Sequence, residues 1–195
     1  MGKTTLAKNI AKHLTEAHHE CVFTIEPGGT PFGVAMRNFV LHTRDQIHLS
    51  PTAELFTYLA DRTQHIDEVI LPGLAEKKVI LSDRYYDSSI AYQGEARGLG
   101  FDWVEECCVL ATRGLAPDLT FYLDLAPELG FERFRGRKPD HIEQQKLSFH
   151  EGVRRGYQKL AAKYPERFVT LDARRTANEL SSEALAIINK RFFNG

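Results

Sequence analysis

The apolar positions of this chain change period repeatedly, and the changes lay out its elements. Leu6, Ile10, Ala11 and Leu14 recur at helical intervals, which predicts a helix over 3–17. Cys21–Ile25 is a short β-branched and aromatic run, the pattern of a strand. Glu26-Pro27-Gly28-Gly29-Thr30 interrupts it with turn-forming residues, and 32–42 returns to a helical pattern. Ser50-Pro51 reads as a capping residue with proline at the first helical position. It opens a long helix toward Ile70 that Pro72 is expected to kink or end. Val79–Asp83 is a second apolar strand with a polar end, followed by a glycine-rich loop over 94–100. Asp102 is a candidate cap for a helix to Arg113. Strands over 119–125 and 168–172 and helices over 127–135, 143–164 and 177–193 complete the chain. Strands separated by helices imply right-handed crossovers. The expected fold is therefore α/β, with four visible strands in a parallel sheet and helices on both faces. No repeat or linker-like composition divides it, so a single domain over 1–195 is expected.

Composition narrows the function classes. Lys and Arg number 25 against 26 Asp and Glu, a net charge of −1, which argues against a general nucleic-acid or polybasic membrane binder. Apolar residues make up 43% and charged residues 26%, which excludes long disorder. No run approaches the roughly 20 apolar residues of a membrane span. Lys3, Lys8 and Lys12 break any signal-peptide core. Cys21, Cys107 and Cys108 make no disulfide framework, which fits a reducing cytoplasm, and Cys107-Cys108 is expected to fill the core. The eight histidines lack zinc-ligand spacing with these cysteines, so no structural metal is expected.

The candidate chemistry is that of phosphate. Gly2-Lys3-Thr4 matches the last three positions of G-x-x-x-x-G-K-[ST]. In that loop backbone N–H groups wrap a phosphate, the lysine reaches its oxygens and the hydroxyl holds Mg²⁺, and a helix N-terminus adds positive potential. The tripeptide by itself is equally an ordinary solvated start. Glu26 and Asp83-Arg84 fall at strand ends, where open α/β sheets place ligands. A carboxylate there can orient a divalent cation, and an arginine can hold a phosphate through paired hydrogen bonds. The plainer readings are a tight turn and a structural ion pair. Arg133, Arg135 and Arg137 alternate by two, which does not build one helix face and favours a segment carrying arginines toward a phosphate.

Together these segments resemble bacterial thymidylate kinases across nearly the whole chain. The resemblance rests on D-R-Y-x-D-S-S-x-A-Y-Q-G over 83–94 with Arg97-Gly98 after it. It rests also on Glu-Pro-Gly-Gly-Thr upstream, on Glu54-Leu55-Phe56-Thr57-Tyr58-Leu59-Ala60-Asp61-Arg62, and on Phe149-His150-Glu151 with Gly156-Tyr157. It implies a P-loop kinase fold, three-layer α/β/α around a parallel sheet of about five strands, with a short lid at about 133–142. It implies transfer of the ATP γ-phosphoryl to dTMP with Mg²⁺, in a cytoplasmic homodimer. In that frame Gly2, Lys3, Thr4 and Thr5 bind ATP, and Lys3 also serves catalysis. Thr4 and Asp83 hold the metal. Arg84 holds the acceptor phosphate, with Glu26 nearby. Tyr58 stacks on the base, where many relatives carry Phe. Arg62 reaches the base carbonyl or the phosphate, Arg37 lies on the base side, and Ser89 and Gln93 bond the pyrimidine edge. Arg135 and Arg137 are the lid candidates for the transferring phosphoryl. Asp140-His141-Ile142-Glu143 stands where the family commonly has D-R-[IL]-[ED], so His141 enters as a secondary candidate.

The family pattern also begins earlier, with a strand and a loop E-G-x-[DE]-G-x-G-K-T, whereas this sequence opens on its last G-K-T; that strand is central in the family's sheet, so two neighbouring strands are expected to lose a partner here. The expectation is a start placed at an internal Met of a longer product, or else a natural impaired remnant. Three readings stay open: an active thymidylate kinase, a relative that binds nucleotide or a partner without turnover, and another nucleotide kinase of the same fold. Tyr58, Arg62, Ser89 and Gln93 weigh against the third.

Overall fold

A computed structural model describes residues 3–42, 47, 49–132 and 142–193. Helix α1 (Lys3–Glu16) buries Leu6, Ile10 and Leu14, the stripe read from the sequence. Strand β1 (Cys21–Ile25) leads into the Gly-Gly turn and helix α2 (Pro31–His42). Helix α3 (Pro51–His65) starts at Ser50, whose hydroxyl accepts from the Ala53 N–H at 3.2 Å.

Pro72 does not end this helical run. A π-helical segment, Ile66–Ile70, follows α3, and the short helix α4 (Leu71–Ala75) carries Pro72 in its first turn. The proline follows directly on the widened π-helical turn, and the run continues to Ala75 before β2 (Val79–Asp83).

After β2 come α5 (Tyr86–Ser89) and a second π-helical segment, Ile90–Ala96. The expected glycine-rich loop over 94–100 is thus shorter, beginning only after Ala96. Helix α6 (Phe101–Thr112) is capped at Gly100 rather than Asp102, which lies in its first turn. Strand β3 (Thr120–Asp124), helix α7 (Pro127–Glu132), helix α8 (Leu147–Lys163), strand β4 (Phe168–Asp172) and helix α9 (Ala177–Ile188) follow. Helix α8 starts later than the expected Glu143. At α9 Thr176 and Glu179 form a reciprocal capping box.

The four strands sit where the sequence places them, but they pair two by two. β1 lies parallel to β2, with Ile25 opposite Asp83, and β3 lies parallel to β4, with Asp124 opposite Asp172. Among the described residues β2 and β3 do not hydrogen-bond to each other. Side chains from all four strands, among them Cys21, Val79, Phe121, Leu123 and Leu171, instead pack in one cluster with α1 and α9. Tyr122 and Phe168 turn the other way, into a second core with Leu55, Leu59, Ile90, Val104, Cys108 and Leu160. Alternate strand residues thus serve opposite helical layers, the three-layer arrangement. Gly156 of α8 rides on Ala91 so closely that a Cβ would lie 2.7 Å from the Ala91 Cα. That contact seats α8 on the second π-helical segment.

Candidate active site

The carboxyl ends of β1 and β2 are tied together by the Glu26 N–H, which donates to the Asp83 carbonyl at 3.2 Å. Around this join the site has two ends.

The phosphate end gathers Lys3, Thr4, Asp83 and Arg84. The Thr4 hydroxyl donates to Asp83 Oδ2 at 2.6 Å, bringing together the two residues expected to hold a metal. These are hard oxygen donors. Mg²⁺ typically uses one or two carboxylates and completes its shell with water and substrate phosphate, so the pair fits that ion. Among the described residues no cluster of three His, Cys, Asp or Glu offers an all-protein metal cage. Lys3 opens α1, where the helix N-terminus adds positive potential. Its ammonium is held below its ordinary pKa, first by the neighbouring Arg84 cation and then by burial. Arg84 takes a left-handed backbone conformation, φ 83°. Its guanidinium donates to the Tyr92 hydroxyl at 3.3 Å and lies 5.0 Å over that ring. Tyr92 and the other neighbours hold Arg84 above its ordinary value. Two cations at such range are stabilised by an anion, and a phosphate supplies one. Thr5 sits exposed in the first turn of α1.

The base end hangs on α3. Glu54, Tyr58, Arg62 and His65 recur at three- and four-residue steps on one side, with Leu55, Leu59 and Ile66 beside them in the core. Glu26 is 2% exposed and accepts from Arg62 Nε at 2.8 Å. Its other oxygen meets His65 Nδ1 at 2.8 Å, and His65 Nε2 meets the Thr24 hydroxyl at 2.6 Å. Arg62 also donates from Nη1 to the Ser89 hydroxyl at 3.1 Å. Gln93 donates to Glu54 at 2.8 Å. The structure therefore joins Glu26, Arg62 and Ser89 in one buried network, and engages Gln93 through Glu54. Arg37 donates from Nη1 to the Pro27 carbonyl at 2.9 Å and so lies over the Gly-Gly turn. Tyr58 lies half-buried between Glu54 and Arg62 on α3.

Gly29 explains part of the turn. A Cβ there would lie 2.5 Å from the His65 ring and 2.7 Å from the Thr24 hydroxyl, so only glycine lets the turn close over the network. Asp61 accepts from the Gly28 N–H at 3.3 Å. Burial, with the Glu26 carboxylate behind it, pushes Asp61 up to about 6.

Glu54, Asp61, His65 and Tyr92 carry the site without having been assigned roles from the sequence. For the first three a signal was present: polar residues spaced along α3, beside an apolar stripe, on a helix expected to be long. Gly2, Arg135, Arg137 and His141 lie outside the described residues, as does the lid segment but for Ile142.

The chain has many relatives among curated proteins. A family model described as thymidylate kinase matches residues 1–184. A thymidylate kinase of Synechococcus sp. (strain JA-3-3Ab) is 44% identical over 191 residues, covering 98% of this chain and 91% of the relative. One from Deinococcus radiodurans is 42% identical over 97% of this chain and 92% of the relative. One from Lactobacillus helveticus is 38% identical over 97% and 91%. These matches take in both ends of the site, the glycine turn between them and α8 behind it, and they place the chain in the thymidylate kinase family of P-loop kinases.

Proposed function

We propose that the protein transfers the γ-phosphoryl group of ATP to the 5′-phosphate of dTMP, giving dTDP and ADP. The observation that carries this reading is the pairing of opposite environments in one site: closely set cations at the phosphate end, and a buried hydrogen-bonding network at the base end. An oxygen of the acceptor phosphate attacks the γ-phosphorus, and the bond from that phosphorus to the ADP oxygen breaks. Little covalent work falls to the protein, so its part is alignment and charge stabilisation. Gly2, Lys3, Thr4 and Thr5 bind the ATP phosphates. Arg84 holds the acceptor phosphate. Thr4 and Asp83 hold Mg²⁺, which screens phosphate charge when bound. Tyr58 stacks on the base, Arg37 lies on the base side, and Arg62, Ser89 and Gln93 read its edge. Glu26 holds Arg62 in register. Arg135 and Arg137 act from the lid on the transferring group.

The non-catalytic alternative is not favoured, because the similarity to thymidylate kinases runs nearly end to end. We further propose a homodimer. Phe32 and Val34 on α2, Phe56 on α3 and Trp103 and Leu110 on α6 are exposed, and the Phe56 and Trp103 rings meet edge to face at 6.5 Å. A cytoplasmic location fits three free cysteines and the lack of any membrane-crossing helix among the described residues.

Chromatographic analysis of products from ATP, Mg²⁺ and dTMP tests the assignment. Formation of dTDP with equal ADP is expected, and a protein that makes none under saturating substrates refutes it.

A further inference from the structure

Glu54 lies one turn before Tyr58 on α3 and is completely buried. Its Oε1 accepts from Gln93 Nε2 at 2.8 Å and from Arg97 Nε at 3.3 Å, and its Oε2 accepts from Arg97 Nη2 at 3.4 Å. Arg97 donates from Nη1 to Gln145 Oε1 at 3.0 Å and stands 4.6 Å over the Phe149 ring. One carboxylate thus links the base-side helix, the second π-helical segment and the start of α8.

A carboxylate paired with a guanidinium offers only lone pairs, whereas a primary amide has a donor edge and an acceptor edge. Glu54 therefore fixes which edge Gln93 turns toward it. Nε2 faces the carboxylate, and Oε1 faces away. Gln93 is 2% exposed, and among the described residues no hydrogen bond reaches its Oε1. The result is an acceptor of fixed orientation at the base end.

We propose that Glu54 is a positioning residue that sets base specificity by holding the Gln93 amide in one orientation, so that the site takes 4-keto pyrimidine monophosphates and rejects 4-amino ones. The proposal rests on the placement of Gln93 against the pyrimidine edge given above. Thymine and uracil present an N3–H donor, which a fixed Oε1 accepts. Cytosine presents a lone pair at N3. To meet it Gln93 must invert, and its Oε1 then faces the Glu54 carboxylate, acceptor against acceptor. A site built to satisfy a buried polar group rejects the ligand that leaves it unpaired far more strongly than a merely apolar pocket does.

Deoxyuridine and deoxycytidine monophosphates differ only at ring position 4 and in the N3 proton, so they isolate this contact. Their dissociation constants, and that of dTMP, are measured by calorimetry on the wild type and on Glu54→Gln. A neutral amide at position 54 can meet either edge of Gln93. The preference for dUMP over dCMP is then expected to fall about 10- to 100-fold, the worth of one charge-assisted hydrogen bond. A purely structural role weakens both ligands by the same factor, and an unchanged ratio overturns the proposal. Should Glu54→Gln not fold, Glu54→Met combined with Arg97→Met leaves no buried charge unpaired. The same fall in ratio is expected there, and an unchanged ratio overturns the proposal equally. Failure of the wild type to bind dTMP or dUMP refutes instead the placement of Gln93 against a pyrimidine. Wild-type binding with an unchanged ratio in the variants refutes the role of Glu54 alone.

Discussion

The two ends of the site balance charge in opposite ways. At the base end two buried carboxylates are answered within the protein: Glu26 by Arg62 and His65, Glu54 by Arg97. At the phosphate end the Arg84 cation destabilises the charge of Lys3. The first end is finished by folding and can present donors and acceptors in fixed directions. The second is finished by its ligand. An ion pair elsewhere in the molecule makes the contrast plain. Arg167 forks onto Asp87 at 2.8 and 2.7 Å, both groups buried, and nothing remains for a ligand to use. The same residue types therefore hold the fold in one place and await an anion in another.

The comparison can be broken first at the self-contained pair. Arg167→Ala leaves Asp87 buried without its cation and is expected to cost about 3–5 kcal/mol in chemical denaturation. The KM for dTMP in the folded fraction should stay near wild type, because the pair serves the fold. Next comes Arg84→Ala, which removes a cation that a ligand is meant to answer. It should lower kcat/KM for dTMP by about 10²- to 10³-fold, the usual effect of deleting one preorganised charge-stabilising donor. Its stability loss should be much smaller than that of Arg167→Ala, since the lost contacts with Tyr92 are partly offset by the end of a repulsion on Lys3. A stability loss as large as that of Arg167→Ala would erase the distinction between the two ends.

A smaller effect sharpens the account of the base end. Asp61 keeps its proton up to about pH 6 in the folded protein, against an ordinary value of 3.8. Between those values the folded state binds more protons than the unfolded chain, so this residue's contribution to stability is lost as pH rises through the window. Asp61→Asn should match wild type below pH 4 and exceed it by about 1–3 kcal/mol above pH 7, read from urea midpoints across pH. Smallest is Ser50→Ala. Loss of the cap on α3 should cost about 1 kcal/mol in the same denaturation assay, since one helix N–H loses its acceptor.

The sequence exposed the phosphate end more readily than the base end, for a physical reason. Lys3-Thr4 and Asp83-Arg84 are short contiguous strings whose chemistry is visible without knowing what lies opposite them. Glu54 and His65 acquire meaning only from partners 39 residues away, Gln93 and Glu26, and alone they read as polar positions on a solvated helix. The strands were legible because short β-branched and aromatic runs covered on both faces leave little choice. Their pairing two by two is not in the local pattern, since sheet order depends on which edges meet; only the family's central first strand led two neighbours to be expected without a partner. The π-helical segments at Ile66–Ile70 and Ile90–Ala96 were equally hidden, because one extra residue in a turn leaves composition unchanged. Gln93 and Arg97 reach Glu54 from the second of these segments and its C-cap, so the least legible backbone carries part of the base-reading apparatus.

The claim that folding completes one end and the ligand completes the other is tested most directly by calorimetric titration of the wild type with thymidine and with dTMP. These share the base and sugar and differ only in the phosphate. The account predicts that dTMP binds about 100-fold or more tightly, with the excess shrinking as salt is raised, because its phosphate answers Arg84 and Lys3. Equal affinity for the two, at low salt and at high, would contradict it.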